Sequence, residues 1–328
     1  MELSNWMTLL GGLALFLHGM DVLSEALESA AGSRLKGILE KLTNTKIKAV
    51  IVGFGVTAAV QSSSAVTFML IGFMNAGLMT LNRATWVIMG SNIGTTTTGL
   101  MMSFNVGVFA PAIALVGAFI PMFAQKKKTK AIGNMMLGFG VLFIGLEMMS
   151  DAMVPLQESE FFLNLIQSMS NPILAICVAA IFTAIIKSSG AAIGILESLA
   201  TQGLMPFSTA AYMVCGLNIG TCLGTAFLTF LQPSRNGKRI SLFHIFFNTF
   251  GTIFFLIVAH LLPVFSWVQA LSANPARQIG LFHMIFNIVT TVIVLPFDNY
   301  MMNLIYKLMP IKGEMLVQDV VLKNPNES

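Results

Sequence analysis

A chain of 328 residues that is 55% hydrophobic and 10% charged, with a mean hydropathy of +0.81, is too apolar to keep its helix faces in water, which excludes a soluble globular protein. The net charge of +4 reads as an orientation signal in the loops, and no nucleic-acid motif, phosphate-cradling P-loop or cofactor fingerprint accompanies it. Cys177, Cys215 and Cys222 are odd in number and lie in apolar segments, so no disulfide framework is implied.

The first predicted element is a membrane span over 6–28. Residues Met1 to Met7 contain Glu2 and neither Lys nor Arg, which favours a spanning helix over a cleaved signal peptide. The charged stretch from Leu35 to Lys48 is expected to form an interfacial helix. Two apolar arms, 47–60 and 65–78, then flank the polar break Gln61-Ser62-Ser63-Ser64. Each arm falls short of the ~20 apolar residues that cross a bilayer, so the pair reads as a re-entrant hairpin. Irregular backbone at membrane depth survives only where protein or a water-filled cavity satisfies its polar groups, so the break is expected to line a cavity. Spans follow at 84–102, 106–124 and 131–153. A second hairpin over 173–204 breaks at Lys187-Ser188-Ser189-Gly190, and spans at 207–231, 240–262 and 279–300 complete the series. The residues after Pro310 form a tail, 311–328, expected to be disordered and cytoplasmic.

These elements repeat at an offset of 126 residues with no insertion or deletion. Gly77-Leu78-Met79 recurs as Gly203-Leu204-Met205, Asn92-Ile93-Gly94-Thr95 as Asn218-Ile219-Gly220-Thr221, and Gly19-Met20-Asp21 as Gly145-Leu146-Glu147. The expected organisation is therefore a first repeat over 6–124 (hairpin 47–78), a second over 131–262 (hairpin 173–204) and an extra carboxy-terminal transmembrane helix over 279–307. With the amino terminus outside, every Lys and Arg except Lys187 and Arg277 falls on the inner side, as the positive-inside bias requires. Each repeat then holds three spans and a hairpin, an odd number of crossings, so the second copy is upside down relative to the first. The fold class is an all-α membrane protein: an inverted-topology repeat with two re-entrant helical hairpins and about seven full spans. It resides in a cell membrane, plasma or bacterial inner, with the carboxy terminus cytoplasmic, and homo-oligomerisation is left open.

In each hairpin the serines stand where a half-helix begins, and a helix amino terminus offers unpaired N–H groups and a partial positive charge to an anion. Ser62, Ser63, Ser64, Ser188 and Ser189 add hydroxyl donors, so two such ends meeting near the midplane suit a compact oxyanion such as phosphate. The competing account is that membrane hydroxyls bond back to their own helices. Asn92, Thr95, Asn218 and Thr221, beside flexible glycines, present oxygens suited to a hard monovalent cation; helix packing through Gly90, Gly94 and Gly99 is the alternative.

The QSSS hairpin followed by SNIGTTTT, with a second NIGT in the other half, resembles the type II sodium–phosphate cotransporter family over roughly residues 10 to 300. The resemblance implies sodium-coupled import of inorganic phosphate by alternating access, with the serines of both hairpins near phosphate and Gln61, together with nearby hydroxyls and amides, near sodium. It implies no cofactor, only sodium as the coupling ion. Bacterial members often carry a PhoU-like domain after the last span; this sequence stops instead, by nature or by truncation.

The chain departs from the pattern at Lys187-Ser188-Ser189-Gly190, where the family shows QSSS. A fixed ammonium is expensive at membrane depth. Lys187 contacts the phosphate, supplies the charge of a sodium ion, or snorkels to water. Glu197 stands where the first copy has Ile71 and is a coupling candidate, either titrating with protons or balancing Lys187. Asp21 and Glu147 are expected to pin the opening helices against the hairpins. His244 and His283, each with an Asn four residues on (Asn248, Asn287), are expected to hydrogen-bond between helices rather than hold a metal. The alternatives are a proton-coupled or sodium-independent carrier of another small anion, a channel, and an intramembrane hydrolase built on Lys187 and Ser188. The hydrolase is disfavoured because neighbouring residues point apart and a nucleophile needs no inverted duplicate.

Overall fold

The computed structural model of the protein describes residues 3–31, 34–104, 106–231 and 234–310; the expected tail at 311–328 lies outside them. Among the described residues the chain is helical, with no strand. In the first half run α1 (Leu3–Ala31), α2 (Arg34–Lys41), α3 (Lys46–Val60), α4 (Ser63–Asn75), α5 (Leu81–Met102) and α6 (Ala110–Phe123). The second half runs α7 (Lys127–Met153), α8 (Glu160–Ser168), α9 (Pro172–Ile186), α10 (Ser189–Thr201), α11 (Phe207–Phe230) and α12 (Arg235–Leu261). Then follow α13 (Val264–Ala270), α14 (Pro275–Val294) and α15 (Asp298–Leu308).

Five helices, α1, α7, α11, α12 and α14, are long and apolar enough to cross a bilayer, and the number rises to seven if each of two bent pairs counts as one span. The chain is a multi-pass, all-α membrane protein. The expected span at 106–124 is corrected to a 3-10 turn at Gly107–Phe109 followed by α6, whose 14 residues reach only ~21 Å of a ~30 Å hydrocarbon core. It is bent 79° from α5. The charged stretch expected as one helix from Leu35 to Lys48 divides, because Thr45 starts α3 by accepting a hydrogen bond from the N–H of Lys48. The last expected helix, 279–307, divides at Leu295–Phe297, where Pro296 removes a backbone donor, into α14 and α15.

The two breaks fall where expected and share one backbone. Gln61 (φ 57°, ψ 20°) ends α3 and Lys187 (φ 59°, ψ 19°) ends α9, both in the left-handed region that disfavours any residue with a Cβ. Extended Ser62 and Ser188 then cap α4 and α10, each Oγ accepting at 3.2 Å from the N–H three residues on, of Ala65 and Ala191. Gly77 and Gly203 turn the chain out of the second arms at φ 71° and 69°, where glycine alone is unstrained.

Each first arm packs against the helix that follows its hairpin, α3 on α5 and α9 on α11, through equivalent glycines. A Cβ added at Gly90 would sit 1.9 Å from the Val50 carbonyl oxygen, and one at Gly216 2.2 Å from that of Ile176. The opening helices of the halves, α1 and α7, pack on each other. An added Cβ at Gly12 meets Gly145 and one at Gly19 meets Gly138, and the reverse contacts repeat. The partner number falls along α7 as it rises along α1, so these helices cross antiparallel. A buried hydrophobic cluster spans α1, α7, α10, α11 and α14, and a second spans α3, α4, α5 and α12. The first break borders the second cluster at Val60 and Val66, and the second break borders the first cluster at Ile186 and Ala191.

Candidate functional site

Both breaks line one cavity of about 510 Å³. Ser62, Ser63 and Ser64 enter it from the start of α4, Ser188, Ser189 and Gly190 from the start of α10, and Gln61 and Lys187 from the ends of α3 and α9. Ser62 and Ser188 satisfy only the N–H groups of Ala65 and Ala191, so the first N–H groups of both helices have no partner within the helix. Two positive helix ends and the Lys187 ammonium thus share one polar space. Asp21, Glu25 and Glu28 of α1 line it as well. The two halves touch here directly, through a 2.8 Å hydrogen bond between the Ser64 and Thr225 hydroxyls.

Of the oxygens expected to hold sodium, Gln61, Thr95 and Thr221 line the cavity. Gln61 is bound into α5: the Thr98 hydroxyl donates to its Oε1, and its Nε2 donates to the Ala58 carbonyl at 2.6 Å and the Thr97 hydroxyl at 3.4 Å. Asn92 and Asn218 stand apart from these. They are buried outside the cavity lining, with Oδ1 already engaged. Asn92 Oδ1 faces His244 Nε2 at 3.0 Å and Asn248 Nδ2 at 3.3 Å; Asn218 Oδ1 faces His283 Nε2 and Asn287 Nδ2, both at 3.3 Å. Each amide nitrogen donates to its own helix, at Ile88 and Val214. The His–Asn echo at residues 244/248 and 283/287 is therefore a pair of interhelical clamps, α12 on α5 and α14 on α11. Among the described residues no cluster of three His, Cys, Asp or Glu side chains is arranged to hold a metal ion.

A second cavity, of about 280 Å³, lies at the other end of α10, beside the last residues of α5. Glu147, Ser150 and Asp151 of α7 line it, the repeat counterparts of Asp21, Ser24 and Glu25 at the first cavity. The same face of α1 and α7 thus serves one cavity each. Asp21 and Glu147, expected to pin helices, both line water-accessible space. Glu197 borders the second cavity; its side chain is 1% exposed and neither carboxyl oxygen has a hydrogen-bond partner among the described residues.

Between the two cavities the wall is apolar. A Cβ on Gly194 would meet the Phe16 ring at 2.7 Å, and one on Gly99 the Ile193 side chain at 2.8 Å, so α1, α5 and α10 are in close contact.

The sequence model of the Na+/Pi-cotransporter matches this chain twice, over residues 15–151 and 148–293, one match for each half. The chain belongs to the Na+/Pi-cotransporter family. It is 30% identical over 298 residues to Uncharacterized protein YqeW of Bacillus subtilis (strain 168), covering 90% of this chain and 96% of that one. It is 27% identical over 294 residues to a protein of Escherichia coli (strain K12) named Putative inorganic phosphate export protein YjbB, covering 89% of this chain and 54% of the relative, so it spans about half that protein's length. A 97-residue stretch is 36% identical to Sodium-dependent phosphate transport protein 2A of Rattus norvegicus, covering 29% of this chain and 15% of the rat protein. No solved structure matches the chain. The family consists of transporters, not enzymes, in line with the disfavouring of a hydrolase built on Lys187 and Ser188.

Sequence reasoning missed the threonines that hold Gln61. They stand in the tract already quoted, SNIGTTTT, and their absence from LNIGTCLG of the second half is visible at the repeat offset.

Proposed function

We propose that the protein is a sodium-coupled secondary transporter of inorganic phosphate working by alternating access. The observation that carries this reading is the convergence of two serine-capped helix starts, α4 and α10, on one cavity that also receives Lys187. A tetrahedral oxyanion has acceptors on every side, and donors arriving from two opposed helix ends match it without a buried Arg. Phosphate would contact Ser62, Ser63, Ser64, Ser188, Ser189 and Lys187; sodium would take the Gln61 end of the cavity with Thr95. Thr221 is the matching oxygen of the second half.

The antiparallel crossing of α1 and α7 supports reading residues 6–124 and 131–262 as inverted repeats, and the short arms of α3, α4, α9 and α10 support re-entrant hairpins. With the amino terminus outside, the first cavity opens to the cytoplasm beside the carboxy-terminal part of α1 and the second opens outward beside that of α7. The close approaches of Phe16 to Gly194 and of Ile193 to Gly99 then close the outer path. Parting α10 from α1 and α5 would open it while the first cavity closes. An inward sodium gradient drives import, and a reversed gradient drives export, the direction in the printed name of the E. coli relative.

The test is phosphate flux in vesicles holding the purified protein, with the sodium gradient inward, absent or outward, and arsenate and sulfate as competitors. Saturable, concentrative uptake that follows the sodium gradient is expected. Flux that ignores the gradient, or does not saturate, overturns the reading in favour of an uncoupled carrier or a channel.

A second reading, proton coupling, has one observation behind it: the unpartnered carboxyl of Glu197 beside the second cavity. Uptake driven by a pH gradient with sodium equal on both sides, and lost in Glu197→Gln, would establish it.

A further inference from the structure

The halves share a backbone at the break and differ in what stands beside it. In the first half the end of α3 gathers oxygens. Gln61 Oε1 accepts from Thr98, Thr97 lies 3.4 Å from Gln61 Nε2, and the adjoining Thr57 and Ser91 hydroxyls are 2.6 Å apart. The last carbonyls of a helix carry partial negative charge, so this end favours a cation, and oxygen ligands suit a hard one.

The matching positions of the second half give up that chemistry together. Ser91 is replaced by Leu217, Thr96 by Cys222, Thr97 by Leu223 and Thr98 by Gly224, while Gln61 is replaced by Lys187. These changes fit one another in space. Lysine cannot accept the hydrogen bond that Thr98 gives to Gln61. A Cβ built on Gly224 would lie 3.6 Å from Lys187 Cγ, so the missing side chain leaves room for the longer residue. Lys187 is exposed to the cavity, and the only ion pair among the described residues joins Lys46 to Asp298, far along the chain. Its ammonium therefore shares the cavity at the negative end of α9 with no carboxylate paired to it.

We infer that Lys187 is a tethered cation that replaces one coupling sodium, so the second half binds no sodium and each phosphate moves with one sodium fewer than two equivalent halves would take. The inference rests on the cavity being the phosphate and sodium site. It accounts for four substitutions, at Gln61, Ser91, Thr97 and Thr98, by one cause: a site that carries its own charge needs no ligand oxygens, and its ammonium repels any sodium that approaches.

The experiment measures initial phosphate uptake against sodium concentration in vesicles, for the unaltered chain and three variants. Lys187→Gln with Leu223→Thr and Gly224→Thr restores the three residues that bond to one another in the first half; a Cβ built on Gly224 comes no closer than 3.3 Å, to the Ala184 carbonyl oxygen. Its sodium dependence should steepen by about one ion, with phosphate affinity at low sodium falling about tenfold or more, the scale of one charge-assisted contact. Lys187→Arg keeps the charge and should keep the original sodium order. The converse variant, Gln61→Lys with Thr97→Leu and Thr98→Gly, should lose sodium dependence, and it reads the proposal even if the first variant does not fold. An unchanged sodium order in a folded triple variant, or retained sodium dependence in the converse one, overturns the inference while leaving phosphate transport intact. An unaltered chain that moves no phosphate overturns the reading of the cavity itself.

Discussion

Gln61 and Lys187 occupy the same left-handed turn at the end of helices of equal length, yet of the hydroxyls at Ser91, Thr95, Thr96, Thr97 and Thr98 of α5 the matching stretch of α11 keeps only Thr221. What both halves retain is what the backbone demands: the left-handed break, the serine cap, the glycine exits at Gly77 and Gly203, and the glycines that let each first arm meet its neighbour. What differs is the residue at the break, Gln61 or Lys187, and the side chains behind it, Thr97 and Thr98 against Leu223 and Gly224. Scaffold and ligand chemistry have separated here, because close backbone packing tolerates no change while a water-filled space does.

The comparison predicts its largest effects in the shared scaffold. Gly90→Val and Gly216→Val should each abolish folded protein on size-exclusion chromatography in detergent, since even a Cβ would overlap a carbonyl oxygen at 1.9 Å and 2.2 Å. Gly224→Ala, whose nearest contact is 3.3 Å, should fold and melt within a few degrees of the unaltered chain. Next comes the shared anion surface. Ser63→Ala and Ser189→Ala should each weaken phosphate binding, measured by calorimetry, by about tenfold, or ~1.4 kcal/mol; a large effect in one half alone would break the equivalence of the two breaks.

The interhelical clamps should respond less. Asn92→Ala strands the donors of His244 and Asn248, and Asn218→Ala those of His283 and Asn287, at about 1–2 kcal/mol of stability each in thermal melts. The sodium order of uptake should not change; if it falls, these amides are ligands after all. Smallest is Ser64→Ala, which removes the 2.8 Å bond to Thr225 and should lower stability by about 0.6 kcal/mol. Its counterpart position, Gly190, has no hydroxyl to lose, so this link is particular to the first half.

The breaks were legible in the sequence because a polar run inside an apolar one leaves few places for a helix to stop; arms expected at 47–60 and 173–186 are helices at Lys46–Val60 and Pro172–Ile186. Bends were not legible. Hydropathy reports how apolar a stretch is and is blind to direction, so the turn between α5 and α6 and the split of α14 from α15 went unseen, although Pro296 marked the latter. The partners of Asn92 and Asn218 were hidden from the sequence for a related reason. An amide oxygen is a good ligand in isolation, but whether it is free depends on the helix opposite, and α12 and α14 each bring a His and an Asn to the same atom. The cluster around Gln61 was readable at the repeat offset, through Thr97 and Thr98 against Leu223 and Gly224, yet its meaning needed the side-chain contacts.

The reciprocal glycines of α1 and α7 form a surface that mates with its own copy turned over, the kind of contact two identical half-length chains would make with no new sequence. Two identical chains, however, must place the same residue twice around their shared axis: a pair of glutamines or a pair of lysines, never one of each. Joining the halves into a single polypeptide lifts that constraint, and an uneven centre with an amide on one side and an ammonium on the other becomes possible only from that point on.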